Sequence, residues 1–524
     1  MIKTEPTVEL IMNTLANETV VIPTSGLGSR MGNLTKHLNK ALLPYLNKPV
    51  LSHIIDQFPK NTSFIIPIGY LGNQVIDYCN AAHPDLDITF VQIDDYTSEL
   101  SGTGYTIQQC LHLLNKPYWY IPCDTYYNID LLEERKDRNC YFTKHVDKEL
   151  SSLYTMFSRD DENLITDILF KKETTDDYVA FTGVIYVHDY QDFNTRLHDM
   201  DSNEIIHAIQ LNELTVDLDS WIDFGSIESY QTALANSQKF DFSKQDEITY
   251  VTDTKVVKWW LDPTVTENKY QRLLHNKTIY PDNCAIHGNY LVYDFYPGKT
   301  LYQYNNIDCL PMLLSWLNEQ VWNRHNTDIT HDCMDFYKLK TQGRIEKYLA
   351  NHDFTETVTE VNGVQIRDYQ YYLNKIDYSY LTSVTQPAYI HGDLQFDNII
   401  IGPDNQFKLI DWRPDFAGNT MTGDIYYDLA KMAGGFIIDY SKIKENDFTI
   451  TINNGIATLT IPYIDNHAGY FQILKDFVIS QNLDWRKVET LIPIIFWNMA
   501  PLHTKPFDKF LWYLGMKLFQ ELEE

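Results

Sequence analysis

Between Tyr389 and Arg413 the chain reads YIHGDLQFDNIIIGPDNQFKLIDWR, and three side chains in it have the types and spacing for one piece of chemistry. Asp393 precedes the amide of Asn398, and Asp411 lies beyond a Gly-Pro-Asp-Asn turn. A carboxylate, an amide and a second carboxylate past a hairpin suit the holding of one or two Mg²⁺ on a nucleoside triphosphate and the positioning of a hydroxyl for in-line attack. The apolar runs NIII and FKLI on either side of the turn predict the two short strands that carry these groups. A second set lies near the front of the chain. Thr19–Pro23 (TVVIP) predicts a buried strand that feeds a glycine-rich turn, TSGLGSRMG. Such a turn lets backbone N–H groups face phosphates, with Gly26 and Gly28 allowing close approach and Arg30 and Lys40 supplying positive charge.

Other elements have to position these groups. Phe64–Tyr70, Ile88–Ile93, Tyr118–Pro122 and Val179–Val187 predict further strands, and a helix opens at Gly102-Thr103-Gly104. Residues 1–17 form a lead-in, and the polar stretch 236–245 (NSQKFDFSKQ) predicts a boundary between a domain over 18–240 and another over 246–524. The second begins with a hairpin, Ile248–Val251 and Lys255–Trp260. It continues as mainly helical sequence over 308–385, carries a later hairpin signal in DFTITINNGIATLTIPY, and has an aromatic-rich helical final part. At 524 residues, two to four domains are expected. A net charge of −29 repels phosphate backbones and anionic membranes, which excludes nucleic acid as an expected partner. The seven cysteines are scattered with no CxxC pair, as for free thiols in a reducing compartment. The first residues lack a continuous apolar core and no run is long enough to span a bilayer, so a cytoplasmic protein without membrane insertion is expected. No motif specifies an oligomeric state.

The longer pattern GLGSRM…KALLP resembles the opening of the nucleotidyltransferases that make activated sugars and CDP-alcohols, with Asn39 where proline usually precedes the lysine. Four motifs of that family occur in order over roughly 18–240. The resemblance implies a Rossmann-like mixed-sheet domain. It makes Gly26, Gly28 and Ser29 nucleotide-binding, Gly102 and Thr103 base-site residues, Gly183 a contact to the phosphorylated acceptor, and Arg30 and Lys40 catalytic. It also makes Asp124, just past a strand's carboxyl end, and Asp223 in SWIDFGS the Mg²⁺ ligands.

The HGD…N…ID stretch resembles the aminoglycoside phosphotransferase and choline kinase families, and implies a bilobal, protein-kinase-like (α+β) phosphotransferase domain. There Asp393 orients or deprotonates the substrate hydroxyl, and Asn398 and Asp411 hold Mg²⁺. Lys258 holds the ATP phosphates, with Lys255 as its rival and Glu267 as its helix partner. Backbone groups near Asp294 to Tyr296 meet the adenine. His391 is expected to be a structural hydrogen-bonding residue. Asp428 is expected to brace the catalytic loop, to cap its own helix, or both.

The whole chain is therefore expected to be an α/β, bifunctional, Mg²⁺-dependent enzyme that uses ATP and a second NTP. A kinase makes a phosphate monoester and a nucleotidyltransferase consumes one. The preferred reading is a choline- or ethanolamine-like alcohol coupled to CTP, with Trp497, Trp512 and Tyr513 as a cage for a quaternary ammonium. Arg413 opposes a cation and suits a polyhydroxyl or anionic acceptor, so a sugar or amino sugar coupled to UTP or GTP is the alternative. An inactive nucleotide-binding scaffold is the alternative of another class.

Overall fold

The computed structural model describes residues 18–98, 101–127, 130–174, 177–200, 202–237, 246–352 and 357–523. The expected lead-in and most of the expected boundary stretch lie outside the described residues. Contacts divide the chain into two units: one running to Pro263 and including Ala285–Val292, the other comprising Thr264–Cys284 and Tyr293 onward.

The core of the first unit is a mixed sheet. Thr19–Val21, Ser63–Ile68 and Asp87–Gln92 run parallel, and Tyr118–Tyr120 lies parallel on the other side of Thr19–Val21. Tyr178–Val187 then pairs antiparallel with Tyr118–Tyr120 and carries Cys140–Lys144 and Thr155–Arg159. The inner strands read as continuous apolar runs because both faces are covered. Val20, Phe64, Ile66 and Trp119 enter one core with the Val50–Ile55 and Gly72–Ala82 helices. Val21, Ile65, Tyr118 and Tyr120 enter the opposite core with Ile107, Phe193 and Leu197. The strand order reverses between Thr19–Val21 and Tyr118–Tyr120. The carboxyl ends of strands at such a reversal frame a crevice where α/β sheets bind ligands.

The hairpin Glu247–Val251 and Lys255–Trp260, expected at the start of the second domain, packs in the first unit. Tyr250, Val257, Trp259 and Tyr290 enter the same core as Tyr78. The Tyr250 hydroxyl donates to Leu42 O at 2.5 Å, and the Tyr78 ring meets Tyr250 edge-on at 5.2 Å. The first unit therefore extends past the boundary expected at 236–245 and includes this hairpin.

The second unit is mainly helical. Every residue of the Ile425–Ile437 helix is buried, and it packs beside Trp485–Met499. An ion pair between Lys487 and Asp424 at 2.6 Å is fully shielded from solvent and is completed by the Tyr337 hydroxyl at 2.8 Å. Ile399–Ile401 and Phe407–Leu409 form the hairpin expected around the Gly-Pro-Asp-Asn turn, and Thr449–Asn453 pairs with Ile456–Thr460. Trp497 and Trp512 are 0% and 1% exposed and stack on each other at 5.1 Å, and Tyr513 is buried as well. These rings are core packing, so the expected ammonium cage is not built from them. Among the described residues, no helix is long and apolar enough to cross a membrane.

Candidate functional site

At the strand-order reversal of the first unit lies a cleft of about 290 Å³, lined by Gly26, Gly28, Ser29, Arg30, Lys40, Gly102, Thr103, Tyr120, Asp124 and Glu204 among others. The turn after Thr19–Val21 brings Gly28 to φ +63°, the left-handed region, and starts the short helix Ser29–Thr35. A Cβ on Gly28 would also press within 3.1–3.3 Å of Thr35 and Lys40. Lys40 is aimed by its neighbour. Buried Asn39 donates to Thr24 O at 3.0 Å and Tyr70 O at 2.7 Å, and accepts from the Ala41 amide at 2.9 Å. Asn39 thus ties the glycine-rich turn to the Tyr70 turn and caps the turn that begins at Lys40.

The Lys40 Nζ is ion-paired to Asp124 Oδ2. Ile222–Asp223 pairs antiparallel with Thr125–Tyr126, so Asp223 sits opposite Thr125, and the Phe224 amide donates to Asp124 O at 2.8 Å. The two carboxylates are neighbours with opposite electrostatics. Burial opposes ionisation of Asp124, but Lys40 and then Arg30 outweigh it and hold the carboxyl below its usual range. Burial and the Asp124 charge push Asp223 up, against hydrogen bonds from the Gly225 amide at 2.7 Å and the Tyr154 hydroxyl at 3.2 Å. Carboxyl groups driven apart in this way mark sites built for a cation or a proton. Among the described residues no group of three His, Cys, Asp or Glu side chains is arranged to hold a metal. Two neighbouring carboxylates, of which Asp124 lines the cleft, are hard oxygen donors of the type that fits Mg²⁺ shared with phosphates.

Gly102 backs onto Asn203, whose carbonyl a Cβ would meet at 2.2 Å. Thr103 Oγ1 donates to Glu204 Oε2 at 2.9 Å, which places an acid at the edge of the expected base site. Gly183, at φ +86°, lies against Pro122 under the turn that leads to Asp124 and does not line the cleft.

In the second unit the residues of the expected catalytic loop are held by backbone contacts. Asp428 accepts from the amides of His391 at 2.8 Å and Gly392 at 2.7 Å and from the Trp322 indole at 3.0 Å. His391 is buried, and burial lowers its pKa to about 4. The hydrogen-bond network assigns Nε2 as donor to Ile410 O at 2.9 Å and Nδ1 as acceptor from the Asp393 amide at 3.2 Å. A neutral, doubly used ring is a positioning group. Asp393 Oδ1 is ion-paired with Lys431 at 2.8 Å, and this outweighs burial to hold the carboxyl well below its usual range. Asn398 donates Nδ2 to Asp393 O at 2.8 Å, and the Ile410 amide donates to Asn398 O at 3.0 Å. That contact brings Asp411, in the left-handed region at φ +60°, to the same loop. The Asn398 side-chain oxygen and the Asp411 carboxylate are the donor types Mg²⁺ takes beside nucleotide phosphates.

The expected ATP-binding positions are divided between the two units. Within its own unit Lys258 is buried and paired with Glu247 at 3.3 Å, and Lys255 lies half-buried on the same strand. Within the other unit Glu267 is exposed and accepts from Gln271 at 2.7 Å. The Asp294 amide donates to Asp282 O at 3.0 Å, and the Tyr296 hydroxyl reaches Gln406 O at 3.5 Å.

No family model matches the chain. Over 195 residues, 36% of the chain, it is 26% identical to the bifunctional protein GlmU of Methanocaldococcus jannaschii, and the match spans 45% of that protein. Over 171 residues, 31% of the chain, it is 22% identical to the UTP–glucose-1-phosphate uridylyltransferase AglF of Haloferax volcanii, spanning 69% of it. A solved structure of UDP-glucose pyrophosphorylase complexed with UDP-glucose superposes with a TM-score of 0.36 at 18% identity, over 42% of this chain and 97% of that one. The chain thus spans less than half the length of GlmU. Its N-terminal part, about 40% of its length, resembles sugar-phosphate nucleotidyltransferases.

Sequence reasoning noted Asn39 only as a departure from a motif, and missed Tyr154 and Glu204 in the first unit and Lys431 in the second. Each is a polar residue whose neighbours along the chain give no sign of its partner. Asp428 carries a testable consequence. Burial raises its pKa to about 6, against the pull of its three N–H donors. An acid whose folded pKa lies above an unfolded value near 4 binds more protons when folded, so stability falls as pH rises from about 4 to about 6, by up to roughly 3 kcal/mol. Urea midpoints at pH 4.5 and 7 should show this decline, and Asp428→Asn should flatten it.

Proposed function

We propose that the chain performs two consecutive transfers. The second unit moves the γ-phosphoryl group of ATP to a hydroxyl of a small molecule. The first then joins the resulting phosphate monoester to the α-phosphorus of an NTP, releasing pyrophosphate. The observation that carries this reading is the Lys40–Asp124 pair beside Asp223, in a cleft walled by the Gly26–Arg30 turn. Asp124 and Asp223 would hold Mg²⁺, which when bound neutralises the α-phosphate and the attacking oxygen. Lys40 and exposed Arg30 take up charge on the departing pyrophosphate. Glu204, an acceptor braced by Thr103, is placed to meet an amino or imino donor on the base. In the second unit Asp393, kept ionised by Lys431, orients the acceptor hydroxyl and receives its proton, with Asn398 and Asp411 as the ligands Mg²⁺ would take there.

The alcohol-plus-CTP reading loses one support, because Trp497 and Trp512 are packed into the core. UTP and glucose 1-phosphate, the substrates in the name of AglF, favour the alternative of a sugar-like acceptor with UTP. Mass spectrometry of products from the full chain, MgATP, mixed NTPs and a panel of alcohols and sugars tests both readings. An NDP-linked product that appears together with ADP and pyrophosphate is expected. Absence of any nucleotide-linked product across the panel would overturn the two-step reading, and the product mass identifies base and acceptor together.

A further inference from the structure

The second unit gathers more positive charge near Asp393 than a kinase loop uses. Lys340 and Arg344 stand one turn apart on the Lys340–Ala350 helix, a spacing that puts them on one face. Lys340 Nζ lies 3.6 Å from the centroid of the Phe336 ring, and Arg413 Cζ lies 5.1 Å from the same centroid. The ring itself is fixed by stacking on Phe416 at 4.1 Å and by Tyr427 edge-on at 4.8 Å. The stem of Arg413 runs across Gly392, where an added Cβ would come within 2.8–2.9 Å of its Cδ, Cβ and Cγ. Gly392 immediately precedes Asp393, so the cations border the reacting loop.

Of the cations near this loop, Lys431 is neutralised by Asp393. Among the described residues, no carboxylate lies within ion-pair distance of Lys340, Arg344 or Arg413. Arg413 Nε reaches only the backbone oxygen of Asp415 at 3.4 Å, and the Asp415 carboxylate is used by the Gly418 amide at 2.8 Å. All three cations are half-buried. Burial and then repulsion lower the pKa values of Lys340 and Arg344, with Arg413 the leading repeller of each, and the Asp415 charge offsets part of this at Lys340. Like charges crowded together, two of them over one aromatic ring, are costly where counter-charge offsets them only in part. In a chain of net charge −29 such an island is not the product of a generally basic surface.

We propose that the second unit takes an anionic hydroxy compound as its acceptor, with the carboxylate or phosphate of that compound held by Lys340, Arg344 and Arg413 and its hydroxyl presented to Asp393. This rests on the kinase reading of the second unit and names its substrate class. A planar guanidinium pair with a lysine suits an oxyanion, which accepts paired N–H bonds and relieves the repulsion. The same field turns away choline and other cationic alcohols.

The test uses the full chain with MgATP and acceptors that differ in charge: glycerate against glycerol, galacturonate against galactose, glycerol 3-phosphate, and choline. ADP release is followed and products are weighed. The anionic member of a pair should win by about tenfold or more in kcat/KM, and glycerate against glycerol 3-phosphate separates carboxylate from phosphate. Arg344→Gln should raise the acceptor KM by about tenfold or more with the KM for ATP unchanged, and Arg344→Lys should recover part of the loss. A thermal melt of each variant verifies its fold. ATP consumption with neutral or cationic acceptors in preference to anions overturns this inference and leaves the kinase reading standing. So does an Arg344→Gln effect on the KM for ATP instead of the acceptor. No ATP consumption with any acceptor overturns both.

Discussion

Asp124→Asn is expected to lower coupling of a supplied phosphate monoester to an NTP by roughly 10²–10³-fold or more, while ATP consumption with the acceptor continues and the phosphorylated intermediate accumulates. The substitution preserves shape and removes one charge. In the native cleft that charge pairs with Lys40 and raises the pKa of Asp223. Without it Lys40 loses its only carboxylate ion pair among the described residues, and Mg²⁺ would lose one of its two anionic oxygen ligands. The Asp223 pKa should fall towards its ordinary value, because one cause of its elevation is gone. That shift separates electrostatic loss from unfolding. It is read by titrating the Asp223 carboxyl carbon in the variant by NMR, alongside pyrophosphate release. Retention of full coupling by a folded Asp124→Asn variant would sink the assignment of the cleft.

Much of this cleft was legible in the sequence because its residues stand at strand ends. TVV and YWY read as buried strands, and the residues just past each run are delivered to one end of a parallel sheet. Asp124 is delivered in this way, and Lys40 meets it across 84 positions from the turn that Asn39 ties down. The hairpin at Glu247–Trp260 was legible as a hairpin, but alternation shows only that a strand has an apolar face and not which core that face enters. Tyr250 and Trp259 settled that question through contacts with residues such as Tyr78 that are remote in sequence. Trp497 and Trp512 illustrate the same limit. They sit on neighbouring helices, and only the packing of those helices turns the rings towards each other. Lys340, Arg344 and Lys431 were unreadable for a further reason. Charged residues at helical spacing ordinarily form a solvated face, and their significance here comes from the Phe336 ring and the Asp393 loop beside them.

Asp393→Asn is expected to lower phosphoryl transfer to the acceptor by about 10²–10⁴-fold, with coupling of supplied phosphate monoester unchanged. Asparagine keeps the side-chain shape and leaves the backbone free to receive Asn398 Nδ2 and to donate to His391 Nδ1. The loop held by Asp428 should therefore persist. Lost would be the proposed proton acceptor and the negative charge that Lys431 neutralises at 2.8 Å. The freed Lys431 adds a fourth cation to the group formed by Lys340, Arg344 and Arg413, so affinity for an anionic acceptor should hold or rise as kcat collapses. A loss in kcat without a rise in acceptor KM marks an interaction used in the transition state and not in ground-state binding. Steady-state ADP release gives both constants, and pyrophosphate release on the same preparation reports coupling. Should coupling vanish together with phosphorylation in a variant that melts normally, the two reactions share one site and the division of labour between Asp393 and Asp124 is wrong.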